Sequence, residues 1–181
     1  MTEIQAPWLV LVVRVPAEPS RHRVGVWREL RKIGAVPLGQ GAWAVPDVPG
    51  FAPGVERIGE LAARGDGHTV VLRAAGRDGQ DAAWLQAAFT ALRQEEWQEF
   101  IADCGKFGDE IDREFALQKF TTAELDEEEQ TLDRLRRWHR ELSARDVFGA
   151  PGAADAGQRL AHCGERLAEF TDAVFRALHQ F

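Results

Sequence analysis

Apolar positions follow two regimes along the 181-residue chain, short dense runs first and long helical stripes afterwards. Residues 8–15, Trp-Leu-Val-Leu-Val-Val-Arg-Val, are apolar at every position but one, the pattern of a central strand covered on both faces. Pro16 ends it. Ser20 is suited to be an N-cap, Val24, Trp27 and Leu30 then recur at helical spacing, and Gly34 stops the helix. Ala35-Val-Pro-Leu38 and Ala42-Trp-Ala-Val45 read as short strands joined by a Gly39-Gln40-Gly41 turn, with Pro37 marking an edge strand. After the loop Val48-Pro-Gly-Phe-Ala-Pro53, the residues Val55, Ile58 and Leu61 form a second helical stripe closed by Gly65, and Thr69-Val-Val-Leu-Arg73 is a fourth strand. The order strand, helix, strand, strand, helix, strand predicts a split βαβ, ferredoxin-like domain over residues 1–80.

Beyond Gly76-Arg-Asp-Gly79 the period becomes helical almost without interruption. A helix from about Asp81 leads into the stripe Trp97, Phe100, Ile101, Cys104, Phe107, Ile111 and Phe115. Thr121 opens a capping box with Glu124 ahead of Leu125, Leu132, Leu135, Trp138 and Leu142. After the break Asp146-Val-Phe-Gly-Ala-Pro151 a last helix carries Leu160, Cys163, Leu167, Phe170, Val174 and Leu178. Residues 81–181 are therefore expected to form an antiparallel helical region packed on the first domain, giving an α+β protein. The open side of the sheet needs a cover, which the helical half or a homodimer partner would supply by burying the same residues.

Charge sharpens the division. The net charge is -7, but residues 1–80 sum to +2 and residues 81–181 to -9. The acidic total disfavours indiscriminate binding to nucleic acid or acidic membranes, while residues 14–32 hold six Arg and Lys against Glu18 and Glu29. Two cysteines make no disulfide framework. The N-terminus lacks the basic region of a signal peptide and no apolar run reaches membrane-span length, so a soluble cytoplasmic protein that inserts in no membrane is expected.

Several of these blocks carry a family resemblance. Trp8-Leu-Val-Leu, Pro16, Arg21-x-Arg23-x3-Trp27-Arg28-x-Leu30-x3-Gly34-Ala35, Gly41-Ala-Trp-Ala-Val-Pro46 and Asp146-Val-Phe-Gly-Ala-Pro151 resemble the N-terminal domain family of the bacterial chromate-resistance regulator, from about residue 8 to 178. The resemblance implies a role in transcription regulation and stress response to chromate, often with a second, C-terminal domain. More distantly, the pattern of strand, proline, arginine-rich helix, glycine and hairpin is similar to the ferredoxin-like domain of the phenylacetate-degradation repressor and of the small CRISPR spacer-acquisition nuclease. The nuclease family places a metal-binding carboxylate at the end of its first strand. Here Arg14-Val-Pro16 stands there, which argues against metal-dependent cleavage.

The candidate binding residues are Arg14, Arg21, Arg23, Arg28, Arg31 and Lys32. Guanidinium groups bind oxyanions in a bidentate fork, and a helix N-terminus adds positive potential. A chromate-like oxyanion, a DNA backbone and an acidic protein surface all suit this chemistry, as does a merely solvated face paired with Glu29. His22 stands among the arginines, and Trp27 and Trp43 are expected in the core rather than as stacking platforms for a base. Cys104, His139, His162 and Cys163 lack ligand spacing: adjacent His162 and Cys163 diverge by about 100° on a helix. The acids from Glu124 to Asp133, followed by Arg134, Arg136, Arg137 and Arg140, read as a helix-stabilising pattern.

No nucleophile has a base at motif spacing, and no glycine-rich phosphate loop follows a strand. No catalytic residue, metal or cofactor is expected. The reading is a regulatory or sensor module that meets an oxyanion or DNA through its basic helix. Its rivals are an interaction or dimerisation scaffold and an enzyme whose site lies between the two halves.

Overall fold

A computed structural model describes residues 7–179. The elements are β1 (Trp8–Arg14), α1 (Ser20–Lys32), β2 (Val36–Gly39), β3 (Ala42–Pro46), a 3-10 turn (Pro49–Phe51), α2 (Ala52–Arg64), β4 (His68–Ala74), α3 (Gly79–Leu117), α4 (Thr122–Arg145) and α5 (Gly152–Leu178). The protein is α+β, with strands confined to the first part of the chain. Two compact units divide it: one comprises the chain up to Arg93 together with Arg145–Phe148, the other Gln94–Ala144 together with the chain from Gly149. α3 begins at Gly79, and the two units part between Arg93 and Gln94, within that helix.

The first unit holds one sheet of order β2-β3-β1-β4 with every neighbouring pair antiparallel. Pro37 lies on the edge strand β2, as its missing N–H requires. Gly39, Gln40 and Gly41 all have positive φ, so the hairpin between β2 and β3 falls where glycine favours it. α1 closes in a Schellman arrangement: Ala35 N–H donates to Leu30 O, Gly34 N–H donates to Arg31 O, and Gly34 takes φ +73°. At its other end Pro19, not Ser20, is the N-cap, and it offers no capping side chain.

The core of this unit gathers Leu11 of β1, Val26 and Leu30 of α1, Ala44 and Val45 of β3, Phe51, Ile58 and Ala62 of α2, and Phe89 of α3. Trp8 packs within 5.9 Å of Phe89 and 5.8 Å of Phe148. Side chains alternate along β1, so Leu9, Leu11 and Val13 share the face that joins this core. On the other face Val10 and Val12 pair across the ladder with Leu72 and Val70, which are exposed. The double cover expected for β1 is therefore complete on one face only.

Helix α1 corrects another expectation. Its buried stripe is Val26 and Leu30 with Ile33 partly buried, whereas Val24 and Trp27 face outward. Both stripes contain Leu30 and both satisfy helical spacing, so rotating the helix by about one residue, roughly 100°, separates them.

The second unit is a three-helix arrangement whose contacts reveal its directions. Trp97 and Phe100 of α3 meet His139 and Trp138 of α4, so these helices run antiparallel. Gln94, Cys104 and Phe115 of α3 meet Gly152, Cys163 and Phe170 of α5 in the same sequence order, so that pair runs parallel. Buried positions on α3 follow steps of three and four: Trp97, Phe100, Cys104, Phe107, Ile111 and Glu114. The buried series on α4 begins at Glu128 and continues through Leu132, Leu135 and Leu142. This is coiled-coil-like seam spacing, with one carboxylate on each of two antiparallel seams. Thr121 caps α4 by accepting the Glu124 N–H at 3.3 Å, but its own N–H donates to the Lys119 carbonyl, so the expected capping box is only half formed. Among the described residues, no helix is long and apolar enough to cross a membrane.

Candidate anion-binding surface

Helix α1 presents its basic residues to solvent. Placing residues about 100° apart, Arg23, Trp27, Arg31, Val24, Arg28, Arg21 and Lys32 cover an arc of about 180° that starts beside the buried Leu30 and runs round the helix away from it and from Val26. Every side chain on that arc is exposed. Trp27, expected in the core, is 48% exposed on it, between Arg23 and Arg31. The Arg31 guanidinium lies 5.2 Å from the centre of the Trp27 ring, a cation–π contact that holds both groups over the surface.

Local electrostatics separate the two ends of this helix. Arg31 and Lys32 occupy the last turn, where the helix dipole favours cations. Lys32 also approaches Glu29 at 3.7 Å. Arg21 and Arg23 stand near the N-terminus, where the dipole disfavours them, and the first turn carries no acid. Among the described residues, the side chains of Arg14, Arg21, Arg23 and Arg28 form no ion pair or hydrogen bond. Four cations are left to solvent or to a ligand.

Arg14, at the exposed end of β1, borders a shallow depression with Val15, Pro16, Asp66, Gly67 and His68. The turn between α2 and β4 connects this place to α1: a Cβ at Gly65 would lie 2.6 Å from His22 Cβ and 3.2 Å from Val15 Cγ1. Arg14 and the first turn of α1 therefore flank one turn, and Lys32 lies about 16 Å further along the helix. A basic residue outside the candidate set, Arg145, donates from Nη1 to the carbonyl of Lys32. Its position in sequence, at the end of α4, gives no sign of this placement.

The remaining candidates separate. Cys104 and Cys163 come together in the second unit, with Cys163 Sγ 3.6 Å from the Cys104 carbonyl. Their mutual hydrogen bond and burial push the Cys104 thiol well above the usual range. His139 packs on Trp97 and Phe100, and its burial lowers its pKa. His162 is exposed, 3.3 Å from Glu165. Among the described residues no group of three or more His, Cys, Asp or Glu side chains is arranged to hold a metal ion. Trp43 is partly buried against the first core, as expected.

The acidic run on α4 contains one exception to a solvated face. Glu128 is 5% exposed on the seam, and Glu114 of α3 is 1% exposed. Lys119 Nζ is 3.4 Å from Glu114 Oε1, while Glu114 Oε2 is buried without a hydrogen-bond partner. Burial first, then the charges of Glu110, Glu127, Glu114 and Glu124, push Glu128 up to about 7.

Comparison with known proteins gives the family of the chain from residue 23 onward. The family model "Protein ChrB, N-terminal" matches residues 23–181. The chain is also similar to Protein ChrB of Cupriavidus metallidurans, at 31% identity over 99 residues, which is 55% of this chain. The match takes in 30% of that protein's length.

Proposed function

The chain belongs to the family of ChrB N-terminal domains, and from that premise we propose that it is a cytoplasmic, non-catalytic regulatory module of chromate resistance that docks on DNA through the exposed face of α1. One observation carries the choice of surface: Arg21, Arg23 and Arg28 stand unpaired on a single helix face, two of them at the end where helix physics disfavours cations. A polyanion repays that placement, because each phosphate met by an arginine also releases counterions. The breadth of the arc, from Arg23 to Lys32, suits a line of phosphates better than one small oxyanion such as chromate. Chromate shares the oxyanion chemistry, and direct titration distinguishes it from DNA.

The test is fluorescence anisotropy with a mixed pool of labelled duplexes, repeated with chromate and sulfate as competitors. Arg21→Ala combined with Arg28→Ala removes two cations, so the slope of log affinity against log salt should fall by about 2. Binding at low salt that is equal in wild type and variant overturns the assignment of this face, as does the absence of any DNA binding. Displacement of DNA by micromolar chromate would transfer the site to the small anion.

A further inference from the structure

The sheet of the first unit has two edges of opposite character. β2 is four residues long, carries Pro37, and its register with β3 is irregular between Pro37 and Gly39. Shortness, proline and irregularity keep an edge from recruiting another strand. β4 has none of these devices. Its seven residues, His68–Ala74, contain neither proline nor glycine and pair with β1 in unbroken register. Among the described residues no strand pairs with its other side. Val70, Val71 and Leu72 are 46%, 42% and 52% exposed, and since neighbours alternate, the strand shows apolar surface on both faces. Arg73, the one Arg or Lys in β4, is ion-paired with Asp47.

We propose that β4 docks on β4 of a second copy of this chain, antiparallel, joining two four-stranded sheets into one of eight. The sequence of the strand is self-complementary in that arrangement. With the two-fold axis at Val71, Val71 faces its own counterpart and Val70 faces Leu72 of the second copy. Thr69 then faces Arg73, and His68 faces Ala74. The apolar triplet closes on itself, and neither Arg73 nor His68 meets a like charge. An isologous contact of this kind needs one patch that is complementary to itself, which β4 is and β2 is not. The Val10–Leu72 and Val12–Val70 pairs continue the apolar surface beside the seam. A single seven-residue strand pair lies at the small end of interface sizes, below about 1,200 Å², the class of weak and transient contacts, so the dimer should depend on concentration.

Sedimentation velocity over a hundredfold range of concentration tests it, with circular dichroism checking the fold of every variant. Wild type should pass from monomer to dimer, and Val71→Lys, which sets two ammonium groups opposite each other at the axis, should weaken the dimer at least tenfold. Val71→Cys should give an intermolecular disulfide under mild oxidation, whereas Trp27→Cys, exposed on α1, should not. A wild type that stays monomeric throughout overturns the proposal. So does a dimer unchanged by Val71→Lys and not cross-linked through Val71→Cys. Should Val71→Lys fail to fold, wild type and the cysteine pair decide the matter.

Discussion

Arg93 donates a hydrogen bond of 2.9 Å from Nη1 to the carbonyl of Gly34, fixing α3 to the residue that ends α1. The guanidinium is buried and lies 4.7 Å from the Phe89 ring centre, so a backbone acceptor and an aromatic face are among the groups that hold its charge. Gly34 takes φ +73°, and a Cβ there would stand 2.3 Å from Arg93 Nη1. Gly34→Ala should therefore cost about 1–2 kcal/mol from the left-handed backbone alone, and more from displacing a buried cation. Urea unfolding of the variant measures this, and a loss below about 0.5 kcal/mol would contradict the packing described.

Glu128 supplies a pH dependence. A carboxyl whose folded pKa exceeds its unfolded value withdraws stability as it ionises. The penalty is absent below 4.5, grows as the pH rises, and is complete above about 7. Each tenfold change in proton affinity is worth about 1.4 kcal/mol, which sets a ceiling of roughly 3 kcal/mol. Glu128→Gln should raise the melting temperature near pH 8 and leave it little changed near pH 5. An equal gain at both values would show that ionisation of this group is not the cause.

Cys104 and Cys163 should be inert in the folded protein. Both are buried, and the Cys104 thiol, hydrogen-bonded to Cys163 and desolvated, resists becoming the reactive thiolate. Titration with an aromatic disulfide should find neither thiol under native conditions and both in denaturant. Rapid modification of either thiol in native buffer would contradict the burial.

Trp27 separates binding from stability. Because it is half exposed, Trp27→Ala should change unfolding free energy by less than about 1 kcal/mol, against about 3–5 kcal/mol for a core tryptophan. The same change removes the platform under Arg31 and should weaken DNA binding severalfold. A large loss of stability would return Trp27 to the core.

Much of this was legible in the residues, for identifiable reasons. Pro16, Gly34, Gly65 and the Gly39-Gln40-Gly41 turn punctuate the first unit where backbone geometry requires it, so the element order follows from them. The cations of α1 were legible as a cluster because charge needs no partner to be seen. Which way that helix is turned was not, since Leu30 belongs to both candidate stripes and only packing selects Val26 over Trp27. Glu114 and Glu128 were hidden among solvated acids, and only the three-and-four spacing of the seam sets them apart. The position of Arg145 at the end of α1 depends on a return of the chain that no local pattern announces.

That return bears on the order of folding during synthesis. The ring of Phe148 lies 5.8 Å from that of Trp8 and 5.6 Å from that of Phe89, so one wall of the first unit's core comes from the far side of α4. A ribosome releases residues in sequence, and domains generally fold as units when complete. The aromatic cover of Trp8 is therefore completed only once all of α4 has been made. Both units gain their last residues late and close together in time, and a nascent chain stalled within α4 lacks the Phe148 ring that packs on Trp8 and Phe89.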